Sequence, residues 1–300
     1  MNVAIAGGTG FIGKVIIKML TERNHHVVVL TRPGSAIKIA RFSGTETRYT
    51  YYDTPSQVEK SLADCQAIIN LVGIIRETKD TPFEYVHNLI PSRLATAALE
   101  VGIKRFLQMS ALGVDSALDV DYMLTKKQGE NAIKKTSGLE WTIFRPSIVF
   151  GPDDMFVNML ARMIKLLPVI PVIGDGTYRL QPVSVFNVAE GFVKSLVMPK
   201  TIGKTYDVAG PDKYSFNKLL DIIAIALGKK RVRKFHQPLP LVKPVVKFFG
   251  RFQSFPITTD QIKMLCAENV TDNDSFFKEL DIVPIDFASG IKEYIEKSSR

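Results

Sequence analysis

Two side chains four residues apart, Tyr122 and Lys126, could perform acid–base chemistry. They lie in the segment DYMLTKKQGE, and residues i and i+4 of a helix share one face. The ordinary pKa of a phenol is about 10, and a neighbouring ammonium group favours the phenolate and lowers that pKa. Such a tyrosine can exchange the proton that accompanies hydride transfer at a carbonyl. The alternative is an ordinary pair on an exposed helix, so the interpretation depends on the surrounding sequence.

A third candidate, Ser110, follows the apolar run RFLQM and precedes Tyr122 by twelve residues. If this run is a parallel strand, Ser110 lies at the carboxyl edge of the sheet, where open α/β sheets bind ligands. Its hydroxyl could polarise the same carbonyl oxygen that Tyr122 protonates. A helix or turn cap is the alternative role for this serine. The predicted catalytic residues are therefore Ser110, Tyr122 and Lys126.

The N-terminal stretch VAIAGGTGFIG, residues 3–13, predicts a loop that binds the phosphates of a dinucleotide. Bare backbone lets the chain turn tightly after a strand, lets a pyrophosphate approach the N–H groups of the following helix, and lets that helix pack closely on the sheet. A purely structural glycine turn is the alternative. The cofactor-binding residues predicted here are Gly7, Gly8, Thr9, Gly10, Phe11, Ile12 and Gly13.

The residues after the second predicted strand indicate which dinucleotide is bound. NAD-binding loops usually carry an acid about 20 residues beyond the glycines, but no Asp or Glu occurs between Glu22 and Glu46. Arg32 stands there instead, and a guanidinium can bind a 2′-phosphate bidentately. We therefore expect NADP(H), with Arg32 as the main discriminator and Lys38 and Arg41 as weaker candidates. NAD(H) is the alternative cofactor, and a solvated loop charge is the alternative role for Arg32.

The elements that position these residues follow from the hydrophobic pattern. Apolar, β-branched runs predict strands at 2–6, 26–31, 47–52, 66–72, 105–109 and 140–145. Helical patterns at 11–23, 82–101 and 119–137 alternate with them. This alternation predicts the α/β class, with a Rossmann-type doubly wound parallel sheet. Asp53, at the end of the third strand, could hydrogen-bond the adenine or cap a helix.

The pattern changes after about residue 150, where prolines cluster and further helical segments follow at 184–197 and 214–227. We expect residues 1–150 to form the NADP-binding Rossmann domain. Residues 151–300 would form a smaller, mixed C-terminal substrate or partner region, in which about 181–208 returns to the Rossmann sheet.

Composition excludes several classes of protein. Two cysteines, Cys65 and Cys266, make neither a disulfide framework nor a metal-ligand cluster, so no metal site is expected. The longest uncharged run is the first thirteen residues, which is too short for a transmembrane helix, and no basic region of a signal peptide precedes it. We expect a cytoplasmic protein, with peripheral association at a membrane as a further option.

Most of the net charge of +9 is concentrated in one stretch, residues 229–251, which holds eight Lys and Arg residues and no acid. Aromatic and aliphatic residues alternate with these cations. The stretch could bind an anionic membrane surface or a membrane electron-transfer complex. Nucleic acid ranks lower as a partner because prolines interrupt the stretch and no binding motif accompanies it. A solvated basic face is the alternative.

Taken together, these motifs resemble the extended and atypical branches of the short-chain dehydrogenase/reductase superfamily. The subgroup with the most similar motifs contains the dehydrogenase-like accessory subunit of respiratory complex I. The matching segments are GGTGFIG at 7–13, INLVGI at 69–74, VHN at 86–88, MSALGV at 109–114, YMLTKKQGE at 122–130, TIFRPSIVFGP at 142–152 and QPVSVFNVAEG at 181–191. Two residues depart from the family pattern. The extended branch has Asp at the position of Asn187, and it has small residues after the helix asparagine that Asn88 matches, which are missing here.

The resemblance implies NADPH binding and adds cofactor contacts at Leu71, Val72 and Gly73 and at Pro146, beside the nicotinamide. It implies that Lys126 also holds the nicotinamide ribose. Apolar residues after Pro146 would supply a surface for an apolar or amphipathic small-molecule ligand. These residues are Phe150, Met155, Phe156 and Met159, and packing in the apolar core is the alternative role for each of them.

Three functions remain open. The first is an NADP(H)-dependent oxidoreductase that acts on an apolar carbonyl or quinone-like ligand through Ser110, Tyr122 and Lys126. The second is a non-catalytic, cofactor-binding accessory or assembly factor of a membrane electron-transfer complex. A nucleotide-sugar epimerase or dehydratase ranks third, because the acid that holds NAD in those enzymes is missing here and the ligand region is apolar.

Overall fold

A seven-stranded sheet forms the centre of the fold. The structure is a computed structural model that describes residues 1–32, 44–116, 119–242 and 258–295. Its strands are β1 Asn2–Ala6, β2 His26–Thr31, β3 Thr45–Tyr49, β4 Ala67–Asn70, β5 Arg105–Met109, β6 Glu140–Pro146, β7 Val149–Phe150, β8 Ile170–Ile173, β9 Arg179–Leu180, β10 Val183–Ser184, β11 Lys204–Val208, β12 Tyr214–Ser215 and β13 Lys234–Gln237.

The order of the central sheet is β3-β2-β1-β4-β5-β6-β11. All neighbouring pairs from β3 across to β6 are parallel. The chain runs outward from β1 to β3 and then crosses back to place β4 on the other side of β1. Such a reversal of strand order opens a crevice at the carboxyl edge of the sheet. The prediction of a Rossmann-type α/β fold is confirmed.

Helices connect the parallel strands and continue into the C-terminal part. They are α1 Phe11–Glu22, α2 Pro55–Ser61, α3 Ile90–Glu100, α4 Asp121–Lys135, α5 Phe156–Leu166, α6 Val185–Ser195, α7 Phe216–Ala226, α8 Thr259–Cys266, α9 Ser275–Leu280 and α10 Phe287–Ile295. A π-helical turn, Tyr85–Leu89, leads directly into α3, and a 3-10 turn covers Pro199–Thr201. None of the helices within the described ranges is long and apolar enough to cross a membrane.

The local sequence explains these elements. The apolar residues of β1 and β2 are buried because a central parallel strand is covered on both faces. Helix α1 buries Gly13, Ile16, Ile17 and Leu20, which recur at helical spacing. Strand β3 ends three residues before its predicted limit, and the predicted helix 82–101 begins with the π-helical turn.

The chain divides into two units. The first contains residues 1–146, 186–207 and 275–282 and includes the seven-stranded sheet. The second contains residues 147–185, 208–274 and 283–300. A separate core formed by α5, α7, α10 and the short strand β8 fills the second unit, with Phe150 and Phe287 in edge-to-face contact inside it.

Candidate cofactor and catalytic site

The glycine loop between β1 and α1 leaves no room for a side chain at Gly7 or at Gly13, the first inner residue of α1 to face it. Gly7 has φ +82°, and a Cβ atom added there would lie 2.9 Å from the carbonyl carbon of Leu71. A Cβ on Gly13 would lie 2.6 Å from the Cα of Gly8, which shows how closely α1 approaches the loop. Gly10, the residue before α1, is exposed and provides no side chain to cap the first N–H groups. This cradle fits a pyrophosphate, which would bind those N–H groups.

The loop after β4 lies directly against the glycine loop. The N–H of Leu71 donates to the carbonyl of Ala6 at 2.9 Å, so the pairing of β1 and β4 continues beyond their ends. The N–H of Val72 donates to Oδ1 of Asn70 at 3.1 Å. Asn70 is fully buried, and its amide donates to Gln108 of β5 at 2.8 Å. Asn70 and Gln108 were not predicted from the sequence, although a polar residue in the last two positions of an apolar strand could have pointed to each.

Arg32 follows the last residue of β2, and its side chain is exposed. Burial raises the pKa of the Tyr52 and Tyr85 phenols, and the positive charge of Arg32 partly offsets this rise. Tyr85 donates a hydrogen bond of 2.9 Å to Asp53, and Arg93 of α3 forms an ion pair with the same carboxylate. Both contacts hold the pKa of Asp53 below its ordinary value. Asp53 does not cap α2, because Thr54 occupies the capping position.

Tyr122 and Lys126 lie on α4, as predicted, and the Lys126 side chain is buried. Its ammonium lies 5.6 Å from the centre of the Tyr122 ring, above the ring face. Loss of hydration raises the pKa of Tyr122 to about 12. It lowers the pKa of Lys126 to about 8, and the negative charge of Glu130 partly offsets this second shift. The expected lowering of the Tyr122 pKa is therefore wrong for this structure, because loss of hydration disfavours the phenolate.

Ser110 directly follows β5, and its N–H donates to the carbonyl of Phe144 at 2.7 Å. The hydroxyl is buried and lacks a hydrogen-bond partner among the described residues. It lies close enough to Glu130 to lower the pKa of that carboxyl, although its geometry falls short of a hydrogen bond. The negative charge of the buried Glu130 carboxylate also favours the charged form of Lys126.

Glu130 is held by Arg145, the residue that precedes the last of β6. Two hydrogen bonds, from Nε at 2.7 Å and Nη2 at 2.6 Å, reach its two oxygens. Burial alone would raise the pKa of Glu130, but these bonds outweigh it and hold the pKa below its ordinary value. Arg145 also pairs with Asp115, which Lys127 contacts. Glu130 and Asp115 were not predicted from the sequence, although the position of Glu130 four residues after Lys126 could have pointed to it.

The apolar ligand surface predicted after Pro146 is contradicted in part by the structure. Pro146 ends β6, and its carbonyl accepts the N–H of Leu112 at 2.9 Å. Phe150 is 1% exposed in the core of the second unit, so its predicted contribution to a ligand surface is wrong. Met155 is 84% exposed and Met159 is 48% exposed, and both remain candidates.

The basic stretch is described as far as residue 242. Lys234 forms an ion pair of 2.6 Å with Asp221, and Lys229 donates to the carbonyl of Ile164. Phe235 on β13 is 60% exposed. The other cations of the described part that belong to this stretch are exposed, and they are Lys230, Arg231 and Arg233. Lys38, Arg41, Lys243, Lys247 and Arg251 lie outside the described residues.

The chain is similar in sequence to several known proteins. The chain is 29% identical over 298 residues to NADH dehydrogenase [ubiquinone] 1 alpha subcomplex subunit 9, mitochondrial, of Arabidopsis thaliana, covering 93% of this chain and 73% of the relative. It is 25% identical to ceramide reductase of Caulobacter vibrioides, covering 76% and 71%.

Solved structures show the same fold. The UDP-glucose 4-epimerase of Thermotoga maritima, crystallised with UDP-glucose, superposes with a TM-score of 0.79 at 17% identity and covers the whole of both chains. The model of the NAD dependent epimerase/dehydratase family matches residues 3–209, which span the sheet, the glycine loop and α4. The chain therefore belongs to the NAD-dependent epimerase/dehydratase family.

Proposed function

We propose that this protein is an NADP(H)-dependent oxidoreductase that reduces an apolar carbonyl or quinone-like ligand. One observation supports the proposal above the others. A glycine cradle, a Tyr–Lys pair with a buried lysine and a half-buried tyrosine, and a buried serine hydroxyl that makes no hydrogen bond within the described residues occur in one unit, with the serine at the carboxyl edge of its sheet. The similarity to a reductase supports the same reaction class.

Each residue has a distinct task in this proposal. The nicotinamide supplies the hydride when the cofactor is bound. Tyr122, whose pKa of about 12 keeps it protonated at neutral pH, donates the proton to the carbonyl oxygen. Lys126 binds the nicotinamide ribose, and its positive charge offsets the negative charge that develops on Tyr122. Ser110 donates a hydrogen bond to the carbonyl oxygen of the ligand. Glu130 and Arg145 hold the buried surroundings of Ser110 and Lys126 in place.

Arg32 selects the phosphorylated cofactor. Its guanidinium is exposed beside the end of β2, and no acid of the described residues forms an ion pair with it within 4.0 Å. A 2′-phosphate could therefore bind there without first breaking an internal ion pair.

The test is NADPH oxidation with a panel of aldehydes, ketones and water-soluble quinones. Tyr122→Phe should lower turnover by at least about 100-fold, since the proton donor is lost. Tyr49→Phe, at an exposed tyrosine of the same unit, is the matched control and should retain turnover. A Tyr122→Phe variant as active as the parent would contradict the mechanism.

A second candidate is a cofactor-holding accessory or assembly factor of a membrane electron-transfer complex. It is supported by the similarity to a subunit of NADH dehydrogenase and by the basic stretch, in which exposed cations precede the exposed Phe235. Cations close to an anionic surface each contribute about 1 kcal/mol of binding.

Flotation with phosphatidylglycerol vesicles tests this surface, and phosphatidylcholine vesicles are the control. Binding should weaken with added salt, because screening shortens the range of surface charges. It should also weaken when Lys230, Arg231 and Arg233 are replaced by Gln. Flotation that ignores both salt and these substitutions would remove the electrostatic basis of the candidate.

A further inference from the structure

His87, a residue of the VHN motif with no role assigned above, lies at a junction of three segments. It belongs to the π-helical turn, and its side chain is 3% exposed. Its ring stacks on Phe83 with 5.2 Å between centroids and meets the edge of Tyr122 at 5.2 Å. π-Helical turns are rare and occur frequently at functional sites. All these residues belong to the first unit.

The first segment joined to His87 is α4. Nδ1 of His87 lies 3.1 Å from the hydroxyl of Thr125, one residue before Lys126. The backbones also approach closely, because a Cβ added at Gly129 would lie 1.9 Å from the carbonyl oxygen of His87. The face of α4 that carries Tyr122 is thereby pressed against the turn.

The second segment is the loop after β4, in which Leu71, Val72 and Gly73 are predicted cofactor contacts. Nε2 of His87 lies 3.2 Å from the amide nitrogen and 3.1 Å from the carbonyl oxygen of Ile74. A Cβ added at Gly73 would lie 3.4 Å from Nζ of Lys126 and 4.0 Å from Nε2 of His87. The imidazole and the ammonium therefore share the space next to this loop.

His87 contributes hydrogen bonds without a charge. Burial and the neighbouring charge of Lys126 lower the pKa of His87 to about 3, so the ring is neutral at physiological pH. A positively charged ring at this position would repel Lys126, whereas a neutral ring can contact both the loop and the helix.

We propose that His87 is a positioning residue that fixes the Lys126 ammonium against the loop after β4, at the place where it binds the nicotinamide ribose. This inference rests on the proposed binding of NADPH and deepens it. His87 acts through Lys126, so it affects the nicotinamide half of the cofactor and leaves the adenosine half unchanged.

Calorimetry with two probes tests the inference. NADPH reaches Lys126, whereas adenosine 2′,5′-bisphosphate carries only the adenosine end and serves as the internal control. His87→Phe, which keeps a ring and loses both hydrogen bonds, should weaken NADPH binding about tenfold. The bisphosphate affinity should stay within about twofold, which a general loss of structure would not allow. His87→Gln can still bond to Ile74 and should recover most of the NADPH affinity.

Thr125→Val is a milder second variant, because it removes only the hydroxyl next to Nδ1. It should weaken NADPH in the same selective way, by less than His87→Phe does. Equal weakening of both probes, or no change in either, would overturn the role of His87. A parent protein that binds the bisphosphate and not NADPH would overturn it too. A parent that binds neither probe would instead refute the proposed NADP(H) function.

Discussion

At the scale of single residues, burial controls the acid–base groups of the candidate site. The pKa of the Tyr122 phenol is raised and the pKa of the Lys126 ammonium is lowered, because the charged form of each loses hydration. Both pKa shifts favour the neutral form of the side chain. A tyrosine with a raised pKa is a proton donor at neutral pH, which matches the direction of carbonyl reduction.

The lowered pKa of Lys126 predicts a pH-dependent affinity for NADPH. Below about pH 8 the lysine is charged and can donate to the ribose hydroxyls, and as the pH rises through 8 this form is lost. The affinity should therefore fall between pH 7 and 9.5. Calorimetry across this range measures the effect. Lys126→Met should bind weakly at every pH, and a parent protein with constant affinity across the range would contradict the prediction.

At the scale of elements, glycines set the distances between segments. Gly13 lets α1 approach the loop after β1, and Gly129 lets α4 approach the π-helical turn. Both contacts are backbone to backbone, so a side chain cannot be accommodated by a change of rotamer. These contacts bring the phosphate cradle and the Tyr–Lys face to fixed positions within the first unit.

Gly129→Ala should destabilise the protein by about 2 kcal/mol or more, because the added Cβ would lie 1.9 Å from the carbonyl oxygen of His87. Helix propensity acts in the opposite direction, since Ala is favoured over Gly by about 1 kcal/mol in a helix. Asn131→Ala, at an exposed position of α4, is the control and should change stability little. Urea denaturation measures both variants, and a Gly129→Ala protein as stable as the parent would contradict the close approach.

At the scale of the whole molecule, the two units carry different features. The first unit holds every predicted residue of the glycine loop, the loop after β4 and the Tyr–Lys helix. The second unit holds its own apolar core and the described part of the basic stretch. Cofactor binding and surface charge can therefore be altered separately by substitution.

NADPH should raise the unfolding temperature of the protein more than NADH does. A ligand at about 100 times its dissociation constant stabilises the folded state by about 2.7 kcal/mol. Arg32→Gln should remove the difference between the two cofactors and leave the unfolding temperature without ligand unchanged, because Arg32 is exposed. Thermal unfolding with equal concentrations of each cofactor measures this. A larger shift with NADH for the parent would contradict the preference for NADP(H).

The amino-acid sequence alone is enough to predict the Rossmann-type sheet, the position of the glycine loop and the placement of Tyr122 and Lys126 on one helix. These features follow from apolar periodicity and from the backbone needs of glycine, which are properties of neighbouring residues. The folded structure was needed to find the ion pair of Glu130 with Arg145, the contacts of His87 with Thr125 and Ile74, the direction in which the Tyr122 pKa shifts and the burial of Phe150. Each of these depends on how far the fold removes a group from water and on which residues distant along the chain it brings beside that group.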